Sequence, residues 1–235
     1  MESEAMKKYK EKEAERVRIN TKHLENGVEF VDLHAAYIDE EVQIGAGTVI
    51  GPCVTLKGNT VIGENCIIGQ NSRIEDSVLG DGVEVQSSVI LQSSVGAETS
   101  VGPFAYLRPK SNVGAHCKIG DFVEVKNSNF GDGSKASHLT YIGDSDVGSG
   151  VNLGCGVVFV NYDGTNKFRS TVGDGAFIGC NSNLVSPVNV GEGAYVAAGS
   201  TVTEDVEADA LYIARARGVK KQGWVSVKGI LKKKK

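Results

Sequence analysis

The chain has 235 residues, room for one large domain or two small ones, and its 25 Lys and Arg against 29 Asp and Glu give a formal net charge of −4, which disfavours a dedicated nucleic-acid binder. Thirty glycines with only four prolines exclude collagen and Pro/Gly-rich disorder. No apolar run approaches the roughly 18 residues of a membrane span, and Met1 leads into charged residues rather than an apolar leader, so a soluble chain, free of membrane and cytoplasmic, is expected.

Residues 1–36 read as a preamble. Met1 to about Leu24 is rich in Lys and Glu without a strong apolar stripe, which predicts a charged helix lying on the surface or extending toward a neighbour, and Asn26 to Ala36 reads as a linker. From Ile38 onward aliphatic residues recur every six positions: Ile38, Ile44, Ile50, Leu56, Ile62, Ile68 and Ile74. The fifth position of these hexads is small or β-branched, as in Thr48, Val54, Thr60, Cys66 and Ser72. The frame slips at Leu79, continues through Val85 and Leu91, slips again before Val95, and resumes at Phe130, at Val147 and at Val172. A period of six fits neither the three-and-four stripe of a helix nor the alternation of a strand. It is the signature of an all-β parallel β-helix, three hexads to a triangular coil. Residues 37–208 form this domain, and the span 38–206 holds about nine coils, roughly 40 Å tall at about 4.8 Å per coil. One sizeable interruption, Phe159 to Thr171, carries the turn-forming run Asn161 to Phe168 (NYDGTNKF), and a loop thrown out of a regular coil usually carries function. Residues 209–235 are a C-terminal arm and basic tail: from Arg215 to Lys235 there are nine basic and no acidic residues, leaving −13 on the remainder.

The five cysteines, Cys53, Cys66, Cys117, Cys155 and Cys180, are odd in number and never form a CxxC pair, which argues against a disulfide framework or a zinc knuckle and for a reducing compartment. Cys66 and Cys117 sit at hexad positions and read as small core residues. The glycine-rich run Gly45 to Gly51 obeys the six-residue period with no helix after it, so it is structural and not a dinucleotide fingerprint.

Functional residues should be those the repeat does not need, and the segment Tyr106 to Lys167 concentrates them. Arg108, Lys126, His138, Tyr141, Asn152, Asn161 and Lys167 make a cationic and polar set able to hold a phosphate beside a general base. Around them the run Ser134 to Gly156 (SKASHLTYIGDSDVGSGVNLGCG), followed by NYDGTNKF, closely resembles the acetyltransferase half of the bacterial bifunctional N-acetylglucosamine-1-phosphate uridyltransferase / glucosamine-1-phosphate N-acetyltransferase family. Arg18 to Asp32, Leu107 to Pro109, Gly120 to Ser128, Ala197 to Val206 and the Gly223-Trp224 pair extend the resemblance from about Arg18 to Trp224.

The resemblance implies left-handed coils, a homotrimer, and acetyl transfer from acetyl-CoA to the amine of glucosamine-1-phosphate, a step toward UDP-N-acetylglucosamine and the peptidoglycan cell wall. It implies His138 as general base, Arg108, Lys126 and Lys167 as a sugar-phosphate clamp assisted by Tyr141, and Asn152 and Asn161 as sugar-orienting residues. Acetyl-CoA would lie along the backbone near Cys155, with Cys180, Ala198 and Arg215 beside it; the family commonly has Ala at the first of these positions and Ser at the second. No metal is expected. The family's nucleotide-binding domain would end where this chain begins, so an isolated acetyltransferase module, served by a separate uridyltransferase, is expected.

The chemistry is coherent, because an ammonium cannot attack a thioester and an imidazole of ordinary pKa near 6.5 suits removal of the amine proton. A backbone N–H beside Cys155 is the candidate oxyanion donor. Active sites between subunits are expected, since a convex prism lacks a cleft and Arg215, beyond the last coil, could reach a neighbour. The competing readings are an acetyltransferase for another amino sugar, a zinc carbonic anhydrase on the same architecture, for which His116 and His138 lack a third histidine, and a non-catalytic β-helix scaffold.

Overall fold

Each hexad supplies a strand of two to four residues and a corner, so the chain closes a coil after three hexads and the next coil stacks on the last. The computed structural model, which describes residues 2–228, is a left-handed parallel β-helix of three flat faces. Face 1 has eleven strands, face 2 ten and face 3 nine, the last giving one strand for each of nine coils. Partners follow the repeat: Val49 and Ile50 pair with Ile67 and Ile68, eighteen residues on. The ladder extends beyond the hexads at both ends. Glu29–Phe30, inside the stretch read as a linker, pairs with Val49–Ile50, and Leu211–Tyr212, in the C-terminal arm, pairs with Tyr195–Val196.

The core is a thin column of inward aliphatic residues, among them Ile50, Leu56, Ile68, Leu107, Ile119 and Ile142, all fully buried. Each stabilises the fold by about 1.5–3 kcal/mol over an exposed position. The small fifth position of the hexad has a second use. Thr48 Oγ1 donates to the Gly63 carbonyl at 2.9 Å and accepts from the Cys66 N–H at 3.0 Å, tying one coil to the next beneath a corner. Cys66 and Cys117 are buried in such places, each Sγ within 3.2 Å of a carbonyl of the adjacent coil, and burial pushes both thiols up.

The slips in the six-residue frame are shortened corners. Leu79 follows Ile74, Phe130 follows Val125 and Val147 follows Ile142 after five residues, and each corner contains one residue at positive φ: Asp76, Asn127 and Asp144 respectively. Asn and Asp tolerate that backbone better than other side-chain-bearing residues. One position is corrected: Ile90, fully buried, points inward where Leu91 was expected, so both corners beside it are five-residue ones.

The N-terminal helix α1 (Glu4–Glu25) begins at Ser3, whose hydroxyl accepts from the Met6 N–H. Its last two turns are anchored on the first coil rather than projecting. Ile19, Asn20 and His23 are buried, Asn20 Nδ2 donates to the carbonyls of Leu33 and Ala36 at 2.8 and 3.0 Å, and the Arg16 guanidinium lies 5.0 Å over the Tyr37 ring. A short helix, α2 (Trp224–Val227), lies within the C-terminal stretch 209–235. The tail lysines Lys232 to Lys235 lie outside the described residues.

Close stacking has a sharp requirement at Gly120, beside the candidate base: a Cβ there would lie 1.9 Å from the Ser137 carbonyl oxygen. Gly120→Ala is expected to cost roughly 1–3 kcal/mol through overpacking. Gly218→Ala, with nothing within 4 Å of its Cβ position, should change stability by less than about 0.5 kcal/mol. Thermal melts of the two variants check this; equal melts would show that the coils can part at Gly120 without loss.

Candidate functional site

Parallel in-register coils turn a spacing of 16 to 18 residues into direct contact, and the candidate residues exploit it. Asp121 and His138 are ladder partners at the end of face 1, and His138 Nδ1 lies 2.5 Å from Asp121 Oδ1. An ionised carboxylate only accepts, so Nδ1 carries a proton, and in the neutral imidazole the lone pair is left on Nε2. The hydrogen bond from His138 holds the Asp121 carboxyl below its ordinary range against the opposing effect of burial. The imidazole is 55% exposed at the corner between faces 1 and 2, open to a substrate.

Face 2 carries the next group. Arg108 Nη1 donates to Glu124 Oε1 at 2.8 Å, and this contact pushes the guanidinium pKa further up. Tyr141 follows Glu124 in the ladder, and its ring lies against Gly143, where a Cβ would meet the hydroxyl at 2.5 Å. Lys126 Nζ donates to both oxygens of Asp144 at 2.7 Å, Asn127 Nδ2 donates to Oδ1 at 2.6 Å and Asn161 Nδ2 to Oδ2 at 2.5 Å. Asn161 also comes within 3.5 Å of the Tyr141 hydroxyl. Asp144 is 6% exposed. Burial pushes its carboxyl up, but the bonds from Asn127, Lys126 and Asn161 outweigh it and leave the pKa below the ordinary value.

The loop is a small hairpin. Asp163 Oδ1 accepts from the N–H groups of Thr165 and Asn166 at 2.7 and 2.6 Å, Tyr162 and Lys167 bridge antiparallel, and Phe168 N–H returns to the Asn161 carbonyl. Lys167 is exposed and forms no ion pair among the described residues.

The four residues expected beside acetyl-CoA are brought into one file. Cys155 follows His138 at the same corner one coil further on, as the Gly156 N–H pointing to the His138 carbonyl marks. Cys180 follows Cys155 and Ala198 follows Cys180, linked by the Asn181-to-Cys155 and Gly199-to-Cys180 backbone bonds, both 2.8 Å. Arg215 does not extend away from its own chain: it folds back and donates from Nη1 to the Ala198 carbonyl at 2.6 Å. Asn152 is set apart from the face 2 residues, on the outer side of face 1 between Lys135 and Phe177.

Asp121, Glu124, Asn127 and Asp144 were not singled out in the sequence. Two signals pointed to them: Asp121 and Glu124 lie one coil below His138 and Tyr141, and the shortened corners mark Asn127 and Asp144. Among the described residues no group of three or more His, Cys, Asp or Glu side chains is placed to hold a metal ion, and no helix is long and apolar enough to cross a membrane.

Known proteins resemble the chain at two levels. Residues 33–108 match the model of the GMPPB C-terminal domain and residues 169–204 that of the bacterial transferase hexapeptide (six repeats). The "Bifunctional protein GlmU" of Clostridioides difficile is 59% identical over 219 residues, 93% of this chain and 48% of that protein. The same-named protein of Alkaliphilus metalliredigens is 53% identical over 216 residues, 92% of this chain and 47% of that one. The chain thus spans about half the length of the curated relatives it matches, and it is similar to the hexapeptide-repeat part of GlmU-type bifunctional proteins. Among solved structures, UDP-N-acetylglucosamine acyltransferase from Campylobacter jejuni superposes with a TM-score of 0.56 at 18% identity, covering 85% of this chain and 77% of that one, a likeness of fold.

The Asp144 cluster makes a pH-dependent contribution to stability. Because the folded carboxyl has a depressed pKa, the contribution is complete above the ordinary carboxylate range near 4 and is lost as pH falls through the lower folded value. Asp144→Asn is expected to lose about 3–5 kcal/mol at pH 7, the cost of breaking a buried pair, and to melt progressively closer to the parent as pH drops below about 4. A melting difference that stays constant from pH 7 to pH 2 would remove the carboxylate charge as its source.

Proposed function

We propose that the chain transfers the acetyl group of acetyl-CoA to the amine of glucosamine-1-phosphate, giving N-acetylglucosamine-1-phosphate and free coenzyme A, without metal. The observation that carries this reading is the Asp121–His138 pair at the foot of the single file Cys155, Cys180, Ala198 and Arg215, beside the polar cluster on face 2. A base oriented at the junction of a long narrow track and a polar patch suits a reaction between a thioester on an extended arm and a small polar acceptor.

In this reading His138 Nε2 removes the proton from the substrate amine as its nitrogen adds to the thioester carbonyl. Asp121 keeps the proton on Nδ1 and stabilises the imidazolium that forms. The Cys155 N–H donates to no backbone carbonyl among the described residues and is the candidate donor to the oxyanion. When the tetrahedral species collapses, the C–S bond breaks and His138 returns the proton to the departing thiolate. Arg108 and Lys167 contact the phosphate, Lys126 completes the clamp by holding Asp144 beside them, Tyr141 and Asn161 line the sugar, and Arg215 with Ala198 borders the coenzyme.

Asn152 lies on face 1, apart from the face 2 residues that would line the sugar. A site using both faces forms where face 1 of one chain meets face 2 of another, which supports a homotrimer with active sites between subunits. A cytoplasmic place in UDP-N-acetylglucosamine and cell-wall synthesis follows from the same product.

The direct test is release of free thiol from acetyl-CoA with glucosamine-1-phosphate, compared with glucosamine and other amino sugars. His138→Ala should lower kcat by about 10²- to 10⁴-fold with the fold intact. An unchanged kcat at normal circular dichroism removes His138 from the mechanism. Lys167→Ala should raise KM for the phosphorylated sugar more than for acetyl-CoA, and light scattering should find a trimer; a fully active monomer rejects the shared site.

A further inference from the structure

Cys155 and Cys180 are twenty-five residues apart, yet the loop between them is extruded, and the coils bring them into register. Their strands pair Asn152 with Phe177 and Leu153 with Ile178, and the Gly154 N–H to Ile178 carbonyl and Asn181 N–H to Cys155 carbonyl bonds, both 2.8 Å, carry the same register through the corner. Stacked strands lie about 4.8 Å apart, inside the Cα separation of about 4.4–6.8 Å that a disulfide spans. Both thiols are free and neither is buried: Cys180 is exposed and Cys155 half-buried. The remaining cysteines cannot compete. Cys66 and Cys117 are buried with their thiols against carbonyls, and Cys53, although exposed, is roughly 30 Å away at about 4.8 Å per coil.

We propose that Cys155 and Cys180 are a modification site, a dithiol across two adjacent coils that a small-molecule disulfide converts to an intramolecular bridge. The exposed Cys180 thiolate attacks one sulfur of the reagent, forming a mixed disulfide and expelling one thiolate. The Cys155 thiolate then attacks the protein sulfur of that mixed disulfide, closing the Cys155–Cys180 bond and expelling the second thiolate. The two protons lost by the cysteines end on the two expelled thiols, so the protein is oxidised by two electrons and the reagent reduced by two. The same reaction run backwards by a reducing thiol reopens the site.

The bridge has a consequence that rests on the proposed acetyl transfer. Both cysteines lie in the file leading from His138 to Arg215, so fixing their side chains toward each other redirects the corner along which the thioester would lie and alters the backbone that carries the Cys155 N–H. The oxidised form is the inactive one.

The test uses the full chain with oxidised glutathione as the probe. After incubation and alkylation of remaining thiols, mass spectrometry should find one peptide pair joining Cys155 to Cys180. Acetyl-CoA-dependent thiol release, assayed after removal of reagent with the thiol trapped, should fall by at least about tenfold and return on treatment with dithiothreitol. In Cys155→Ala the same exposure should leave Cys180 carrying a single glutathione. Alkylation of both cysteines in the parent, or a separate glutathione on each, overturns the dithiol. A bridge that forms while the rate is unchanged overturns the inactive state. If the reduced protein transfers no acetyl group but the bridge still forms, the dithiol stands and the acetyltransferase reading falls instead.

Discussion

The backbone ladder between successive coils is the constraint on which the rest of the molecule depends. It fixes which residues meet, because a side chain at one position stands directly over the residue one coil earlier. Asp121 and His138, 17 residues apart, are such a pair, while Arg108 and Glu124, 16 apart, and Lys126 and Asp144, 18 apart, touch across neighbouring rungs, since Glu124 stands over Tyr106 and Gly143 over Lys126. Few of these pairs need a tertiary interaction of their own. The ladder delivers them, and the chain only has to place complementary chemistry one coil apart.

The same rule makes the three faces unequal. On face 3 the outward positions form a closed polar chain: Ser94 donates to Asn112, Asn112 to Asn129, Asn129 to Asp146, and Arg169 grips both oxygens of Asp146 at 2.5 Å while donating to the carbonyls of Asn127 and Ser145. Each member satisfies the next, so this run of the face, from Ser94 to Asp146, is met by its own side chains, while Val78 before it stands exposed. The corner between faces 1 and 2 is different. Phe104 and Phe122 stack at 5.6 Å while more than half exposed, and Leu139 above them is exposed as well. Apolar side chains lined up in water beside a candidate base are what an incomplete surface presents.

The fold was legible because its signal is one-dimensional. A six-residue period with an inward aliphatic residue survives any local uncertainty, and only Leu91 was assigned inward in place of Ile90. The ends were harder, since Glu29–Phe30 and Leu211–Tyr212 join the ladder without belonging to a run of hexads. The site was half legible. His138, Tyr141, Asn161 and the basic residues stand out as side chains a β-helix does not need, but their acidic partners hide, because Asp and Asn at corners already have a structural reason to exist. Slips of the frame to five residues, at Phe130 and Val147, were the visible trace of Asn127 and Asp144. The contact of Arg215 with Ala198 was not legible for a related reason: past the last hexad there is no period to follow, and the contact comes from a side chain folding back.

On the proposed reading, the acidic partners also decide how the three basic residues would divide the work of holding a phosphate. Lys126 faces a carboxylate that is 6% exposed, and drawing the ammonium away would strand a buried charge at a cost of about 3–5 kcal/mol. The Arg108–Glu124 pair is about 40% exposed on each side, where such contacts contribute no more than about 1 kcal/mol. A phosphate dianion can therefore take Arg108 from Glu124 at small cost and meets Lys167 already free, whereas Lys126 stays with Asp144. On the proposed reading Lys126 serves by holding Asp144, which in turn fixes Asn161 within reach of Tyr141, and the direct contacts to phosphate fall to Arg108 on the face and Lys167 on the loop.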